Sequence, residues 1–188
     1  MNLWVVPAHN LCNEDYRKDE EYFYYAMCGV VQTSNITMGQ VMLRDLFRRR
    51  HKPQTPAMIR AILKTFRTVT EGGIHLPPNV VQFSIDQYRS ERVVIKIAQG
   101  LLYRDLKQYM PRENCKDIRF CRSEHDVPEL YSLSWQGAER VAVLPDVFAY
   151  RRMEFDGLQL MSILFWESLM FCCAFENIGA QALACAAT

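Results

Sequence analysis

The apolar positions change period once along the chain. From Asn10 to Val31, Tyr16, Phe23, Met27 and Val30 recur at helical spacing, with Asn10 or Asn13 as cap and Glu14 and Asp15 in a favourable first turn. The stretch QTSN interrupts this helix, and MGQVMLRDLFRRRH forms a second one that stops at Lys52-Pro53. Thr55-Pro56 opens a third, pairing a good cap residue with a proline tolerated at the first helical position, and it runs to Thr70 before Gly72-Gly73. NVVQFSI reads as a strand, and Asp86 caps a long helix reaching Met110. Val93, Val94, Ile97, Leu101, Leu102 and Leu106 give that helix a broad buried stripe. After a candidate strand at DIRFC comes an irregular region with Pro128 and Gly137. The period then becomes two: VFAYRRMEF, Asp156-Gly157, LQLMSILFW, Glu167-Ser168, LMFCCAFE. Asp-Gly between alternating runs is a strong hairpin signal.

The predicted fold class is therefore α+β, with about four N-terminal helices packed with a C-terminal antiparallel meander sheet. One domain is expected over residues 1–188: a strand and helix in 1–31, a mainly helical part in 32–110, a mainly sheet part in 111–176, and a tail in 177–188.

Composition narrows the classes of function. Apolar residues make up 49% and charged residues 23%, an ordinary globular balance. A formal net charge of +1 excludes a strong whole-molecule field, so any affinity for nucleic acid must come from a local patch. Seven scattered cysteines, an odd number without framework spacing, point to reduced thiols and a cytoplasmic protein; MNLWVVPAHN lacks the pattern of a secretion signal. The apolar stretch from Leu158 to Phe175 is interrupted by Gln159, Glu167 and Ser168, so no membrane partner is expected.

Three features carry candidate chemistry. His9 and Cys12 stand three apart at a strand-to-helix junction, a spacing that can give two ligands to one zinc ion; structural zinc takes four, and no second pair is spaced to complete it. On spacing alone a capped helix start with an incidental His and a semi-buried Cys is the favoured account of these residues. The carboxylates Glu14, Asp15, Asp19, Glu20 and Glu21 suit hard cations, yet Arg17 and Lys18 sit among them, which favours a solvated helix face. Between Arg44 and Arg67 eight basic residues face a single Asp45. Arg60, Lys64 and Arg67 fall at i, i+4 and i+7, one face of a helix able to track phosphates, with Met58, Ile59, Ile62, Leu63 and Phe66 as the core face. Arg48, Arg49 and Arg50 extend this basic patch; a charged, solvated outer face, the default for an amphipathic helix, is the alternative reading. Cys172-Cys173, in an apolar strand, reads as buried and inert.

VPAHNLCNEDYRKDEEYF resembles the second half of the zinc-knuckle HNH endonuclease motif of the ββα-metal fold, in which a strand ends in Cys-x-x-Cys-Asn and leads into a helix. VVIKIAQGLLYRDLKQYMP and DVFAYRRMEF…ILFWESLMF are similar, in the same order, to later segments of uncharacterised bacterial HNH-like proteins. The resemblance implies nuclease ancestry. It places His9 and Cys12 at knuckle positions and Asn13 where the family ligates its catalytic metal. The family's preceding Cys-x-x-Cys and its Glu-His or Asp-His step, whose His is the general base, are missing before Leu3. The resemblance thus implies a degenerate, non-catalytic protein that binds nucleic acid or protein. It assigns no catalytic residue, vestigial metal positions at His9, Cys12 and Asn13, and no zinc or magnesium unless an upstream half is restored. Two alternatives stand beside it. The chain is the C-terminal two-thirds of an active metal-dependent nuclease, or it is a homo-oligomeric interaction protein with no nucleic-acid role, a dimer whose partner copy covers Leu3, Trp4 and Val5.

Overall fold

A computed structural model describes residues 10–34, 36–78, 80–121, 126–144, 147–167 and 169–177, without the side chains of 10–12, 32–34, 36 and 133–135. Among the described residues four helices precede the first strand: α1 (Asn10–Ser34), α2 (Ile36–Arg49), α3 (Thr55–Leu63) and α4 (Gln87–Leu106). Then come β1 (Cys115–Cys121), α5 (Glu129–Gly137), β2 (Arg140–Leu144), β3 (Phe148–Phe155), β4 (Leu158–Phe165) and β5 (Leu169–Glu176). The fold is α+β. Contacts divide the chain into two compact units, Asp15–Ser90 and the residues on either side of that segment. The division falls inside α1 and α4 rather than at a linker.

In Asp15–Ser90, α1 runs on through the QTS that was expected to end it. Tyr22, Phe23, Tyr25, Ala26, Met27, Cys28 and Val31 of this helix are buried. α3 starts differently from the sequence expectation. Gln54 is its cap residue, and Thr55 lies inside the helix, fully buried. The carboxylate of Glu21 explains this: it accepts from Thr55 Oγ1 at 3.1 Å, Gln54 Nε2 at 3.3 Å and Tyr25 OH at 3.2 Å. A negative charge is thereby fixed at the N-terminus of α3, where the helix dipole favours it. The helix also stops at Leu63 and does not continue to Thr70. Thr65 turns its hydroxyl back onto the Ile62 carbonyl at 2.7 Å, and Arg67 exchanges both backbone hydrogen bonds with Gln82 at 2.8 and 2.9 Å. The β-branched Thr68-Val69-Thr70 prefers this extended path. Residues 79–85 form no strand among the described residues; only Gln82 is bridged.

In the other unit, α4 buries Val93, Val94, Ile95, Ala98, Leu101 and Leu102. It ends at Leu106 rather than Met110 because Lys107 adopts a left-handed backbone, φ 57°. The sheet is antiparallel in the order β1-β5-β4-β3-β2, a meander from β2 to β5 with β1 added beyond β5. On one face, Tyr150 and Arg152 of β3 reach Asp105 of α4 at 2.8 and 3.4 Å. The opposite face gathers Leu160, Met170, Cys172 and Ala174 with Tyr131 of α5. The region expected to be irregular thus holds both α5 and β2. Pro128 and Gly137 bracket the helix: the Pro128 carbonyl accepts from the Tyr131 and Ser132 amides, and Gly137 is its last residue.

Both predicted hairpins form. Asp156 and Gly157 take φ of 49° and 73°, as a two-residue turn of the strand-matching hand requires. In the second, Phe165 pairs with Leu169, and Trp166 and Glu167 between them take φ of 52° and 54°.

Candidate functional site

The helical unit Asp15–Ser90 contains a cleft of about 710 Å³. α1 supplies Arg17, Lys18 and Tyr22 to it. α3 supplies Ala57, Met58, Ala61 and Ile62, with Gln54 before the helix and Thr65 after it. Ser84, Ile85, Asp86 and Arg89 come from the start of α4 and the residues leading into it. The lining is mainly apolar along α3 and cationic along α1. Ala57 and Ala61 are exposed, so the cleft is open and its floor is set by methyl groups.

Hydrogen bonds hold the walls in place. Asp86 caps α4, its carboxylate accepting from the Arg89 amide at 3.1 Å and its carbonyl from Ser90 Oγ at 2.9 Å. The Asp86 amide donates to Tyr22 OH at 2.6 Å, and Thr65 Oγ1 donates to the Ser84 carbonyl at 3.3 Å. Arg89 donates from Nε to Asp19 at 2.7 Å and from Nη2 to the Lys18 carbonyl at 2.7 Å, with its guanidinium 4.4 Å from the Tyr22 ring centre. This is a cation–π stack inside the cleft wall.

The six predicted phosphate-contact residues fall into three settings. Arg60 and Lys64 are exposed, and each lies three positions from a cleft alanine, hence beside it on the helix surface. Lys64 is the cap residue that ends α3. Arg67 has left the helix, so Arg60, Lys64 and Arg67 do not form one helical face; Arg67 stands 4.0 Å from Glu71. Arg48 and Arg49 close α2, and both pair with Asp45, at 2.5 and 2.7 Å. Arg49 also faces the Tyr24 ring at 5.9 Å, while Arg50 donates to His51. Burial and the Asp45 charge together push the Tyr24 hydroxyl up to about 12. The expected core face of α3 is only partly core: Ile62 is buried, while Leu63 and Phe66 are exposed.

The sign of charge is distributed unevenly. Asp15–Ser90 has eleven Lys and Arg against seven Asp and Glu, a formal +4, and the rest of the chain carries −3. Two carboxylates of the run expected to be solvated turn inward, Asp19 to Arg89 and Glu21 to the start of α3. Sequence reasoning took Arg17 and Lys18 for interruptions of that run and did not single out Tyr22 or Arg89. The cap at Asp86 was the one signal that marked this corner of the fold.

Of the three positions that the sequence resemblance marks as vestigial metal ligands, His9 and the Cys12 side chain lie outside the described residues, as do Leu3, Trp4 and Val5. Asn13 is an exposed residue in the first turn of α1. Among the described residues no three His, Cys, Asp or Glu side chains are grouped to hold a metal ion. Cys28 is buried, and burial pushes its thiol up to about 11. In the sheet Cys172 and Cys173 are buried; burial, with Cys121 beside it, pushes the Cys172 thiol up to about 12, and burial raises Cys173 well above its ordinary range. Among the described residues no helix is long and apolar enough to cross a membrane. Comparison with protein-family models, with curated proteins and with solved structures returns no match for this chain.

Proposed function

We propose that this chain is an HNH-like derivative whose helical unit, Asp15–Ser90, binds nucleic acid without cleaving it. The observation that carries the reading is the segregation of charge, +4 in this unit against −3 elsewhere. A near-neutral molecule arranged this way presents a local positive field to a phosphate backbone while keeping its overall charge low. Arg60 and Lys64 are the primary phosphate contacts, since both are exposed on the outside of α3. Arg48 and Arg49 add to them by exchanging Asp45 for a phosphate, and Arg50 and Arg67 extend the patch. The non-catalytic part of the reading rests on the sequence resemblance, in which His9 stands where the family's knuckle has a Cys and His51, His75 and His125 lie outside the motif.

Titration of a fluorescent oligonucleotide across salt concentrations tests the binding. Each phosphate contact contributes roughly 0.9 to the log–log salt slope on duplex DNA. Arg60→Glu/Lys64→Glu is expected to flatten the slope by about two such contacts and to weaken binding at low salt. A slope that is already flat in the unaltered protein would sink the reading. A plasmid-nicking assay with Mg²⁺ or Mn²⁺ tests the second half: cleavage abolished by Asn13→Ala would show a working nuclease.

A further inference from the structure

The cationic groups alone would suit any polyanion, single- or double-stranded. The cleft beside them asks for something more selective. Its floor of Ala57, Met58, Ala61 and Ile62 is apolar, and a phosphate placed there would lose its hydration without a partner. A duplex presents phosphates outward and keeps its rings stacked and paired, so it would leave the floor unfilled. We infer that the cleft takes an unpaired nucleobase, making single-stranded nucleic acid the preferred ligand; this rests on the proposed reading of Asp15–Ser90 as a nucleic-acid binder.

Four features favour this occupant. The volume of about 710 Å³ lies in the range of clefts for small organic ligands, roughly 300–1,000 Å³, and holds a base together with its sugar. The guanidinium of Arg89, stacked on the buried Tyr22 ring and fixed by Asp19 and the Lys18 carbonyl, is a rigid cationic plane in the cleft wall. Bases stack on aromatic rings and on Arg planes alike. Gln54, Ser84 and Asp86 supply polar groups for a base edge, and the Met58 thioether makes favourable contacts with a ring. At the rim, Arg17 and Lys18 on α1 and Arg60 and Lys64 on α3 complement the phosphates on either side of the inserted base. Flanking bases find two further rings nearby in sequence, the exposed Tyr88 and Phe66. A fatty anion would fill the floor but would leave the polar edge groups and the stacking platform unused.

The test compares an oligothymidylate of roughly 12 nucleotides with a duplex of equal length, a length within the usual site sizes. Both are titrated against the full chain, Ala61→Leu and Arg60→Glu/Lys64→Glu. Ala61 is exposed, so the leucine projects into the cleft without disturbing a core, and far-UV circular dichroism confirms the fold. The unaltered protein is expected to bind the single strand at least about tenfold tighter than the duplex, the worth of one stacked base. Ala61→Leu removes most of that preference and leaves duplex binding unchanged, while the charge reversal weakens both ligands. Equal affinity for the two ligands, or an Ala61→Leu variant as tight on the single strand as the parent, overturns the cleft assignment and leaves phosphate binding standing. No binding of either ligand at low salt overturns both readings, and tight binding of dodecyl phosphate in that circumstance reassigns the cleft to an anionic amphiphile.

Discussion

Arg89 serves three neighbours within its own unit: the Asp19 carboxylate, the Lys18 carbonyl and the Tyr22 ring. Asp19 is only 7% exposed, so its charge depends on the partners it keeps. Arg89→Ala is expected to cost roughly 3 kcal/mol in urea unfolding, because it strips a buried carboxylate of an ion-pair partner. Asp19→Ala in the same chain should recover part of that loss. Arg89→Lys should fall between, since a single ammonium cannot reproduce a fork that bonds and stacks together. A loss within about 0.5 kcal/mol for Arg89→Ala would place Asp19 effectively in solvent. The thiols make a different statement. Cys28 rises from 9.0 to about 11 and Cys172 from 9.0 to about 12 on folding, both chiefly through burial. Their folded values exceed the unfolded one, so their contribution is complete below about pH 9 and is lost as pH climbs through the raised values. Stability to urea should therefore hold flat from neutral to about pH 9 and then decline by up to about 1.4 kcal/mol per pH unit for each such thiol. Cys28→Ala should make the decline shallower, and a curve unaltered by that change would refute the assignment.

At the scale of elements, the second hairpin places two side-chain-bearing residues, Trp166 and Glu167, in the left-handed region. Each costs about 1–2 kcal/mol relative to glycine. Glu167 also pairs with Arg140, an exposed contact of small worth. Removing Arg140 first isolates the backbone term: in Arg140→Ala, Glu167→Gly is expected to raise stability by about 1 kcal/mol. Gly157→Ala, at φ 73°, should lower it by a similar amount. Thermal midpoints decide both, and a destabilising Glu167→Gly in that background would mean the turn is relaxed as it stands. β3, β4 and β5 were legible because alternation and Asp156-Gly157 act locally, whereas β2 was not. The end of α3 was not, since Arg67 is drawn off the helix by Gln82, fifteen residues later. Pro128 and Gly137 were seen but read as breakers, although the same residues serve as well at the two ends of a short helix. The cleft was legible only in its parts. Arg60 and Lys64 could be found by counting along a helix, whereas the Asp19–Arg89 pair joins residues seventy apart with no motif between them.

For the molecule as a whole, where a charge sits matters more than how many there are. Arg60→Glu/Lys64→Glu and Lys107→Glu/Arg112→Glu change the net charge equally, but the second pair belongs to the unit that carries −3. The first variant is expected to lose retention on immobilised heparin and the second to keep most of it. Equal loss would show that retention follows net charge alone. The order of strands has its own consequence, during synthesis. β5 lies between β1 and β4, yet it is the last strand of the sheet to be made. β1 leaves the ribosome without β5, its neighbour among the described strands, which follows about fifty residues later, a wait of roughly 3–10 s at ordinary rates of elongation. Throughout that interval the Phe120 strand offers an unpaired edge to other nascent chains, and production of this protein is therefore most vulnerable to aggregation between the synthesis of β1 and that of β5.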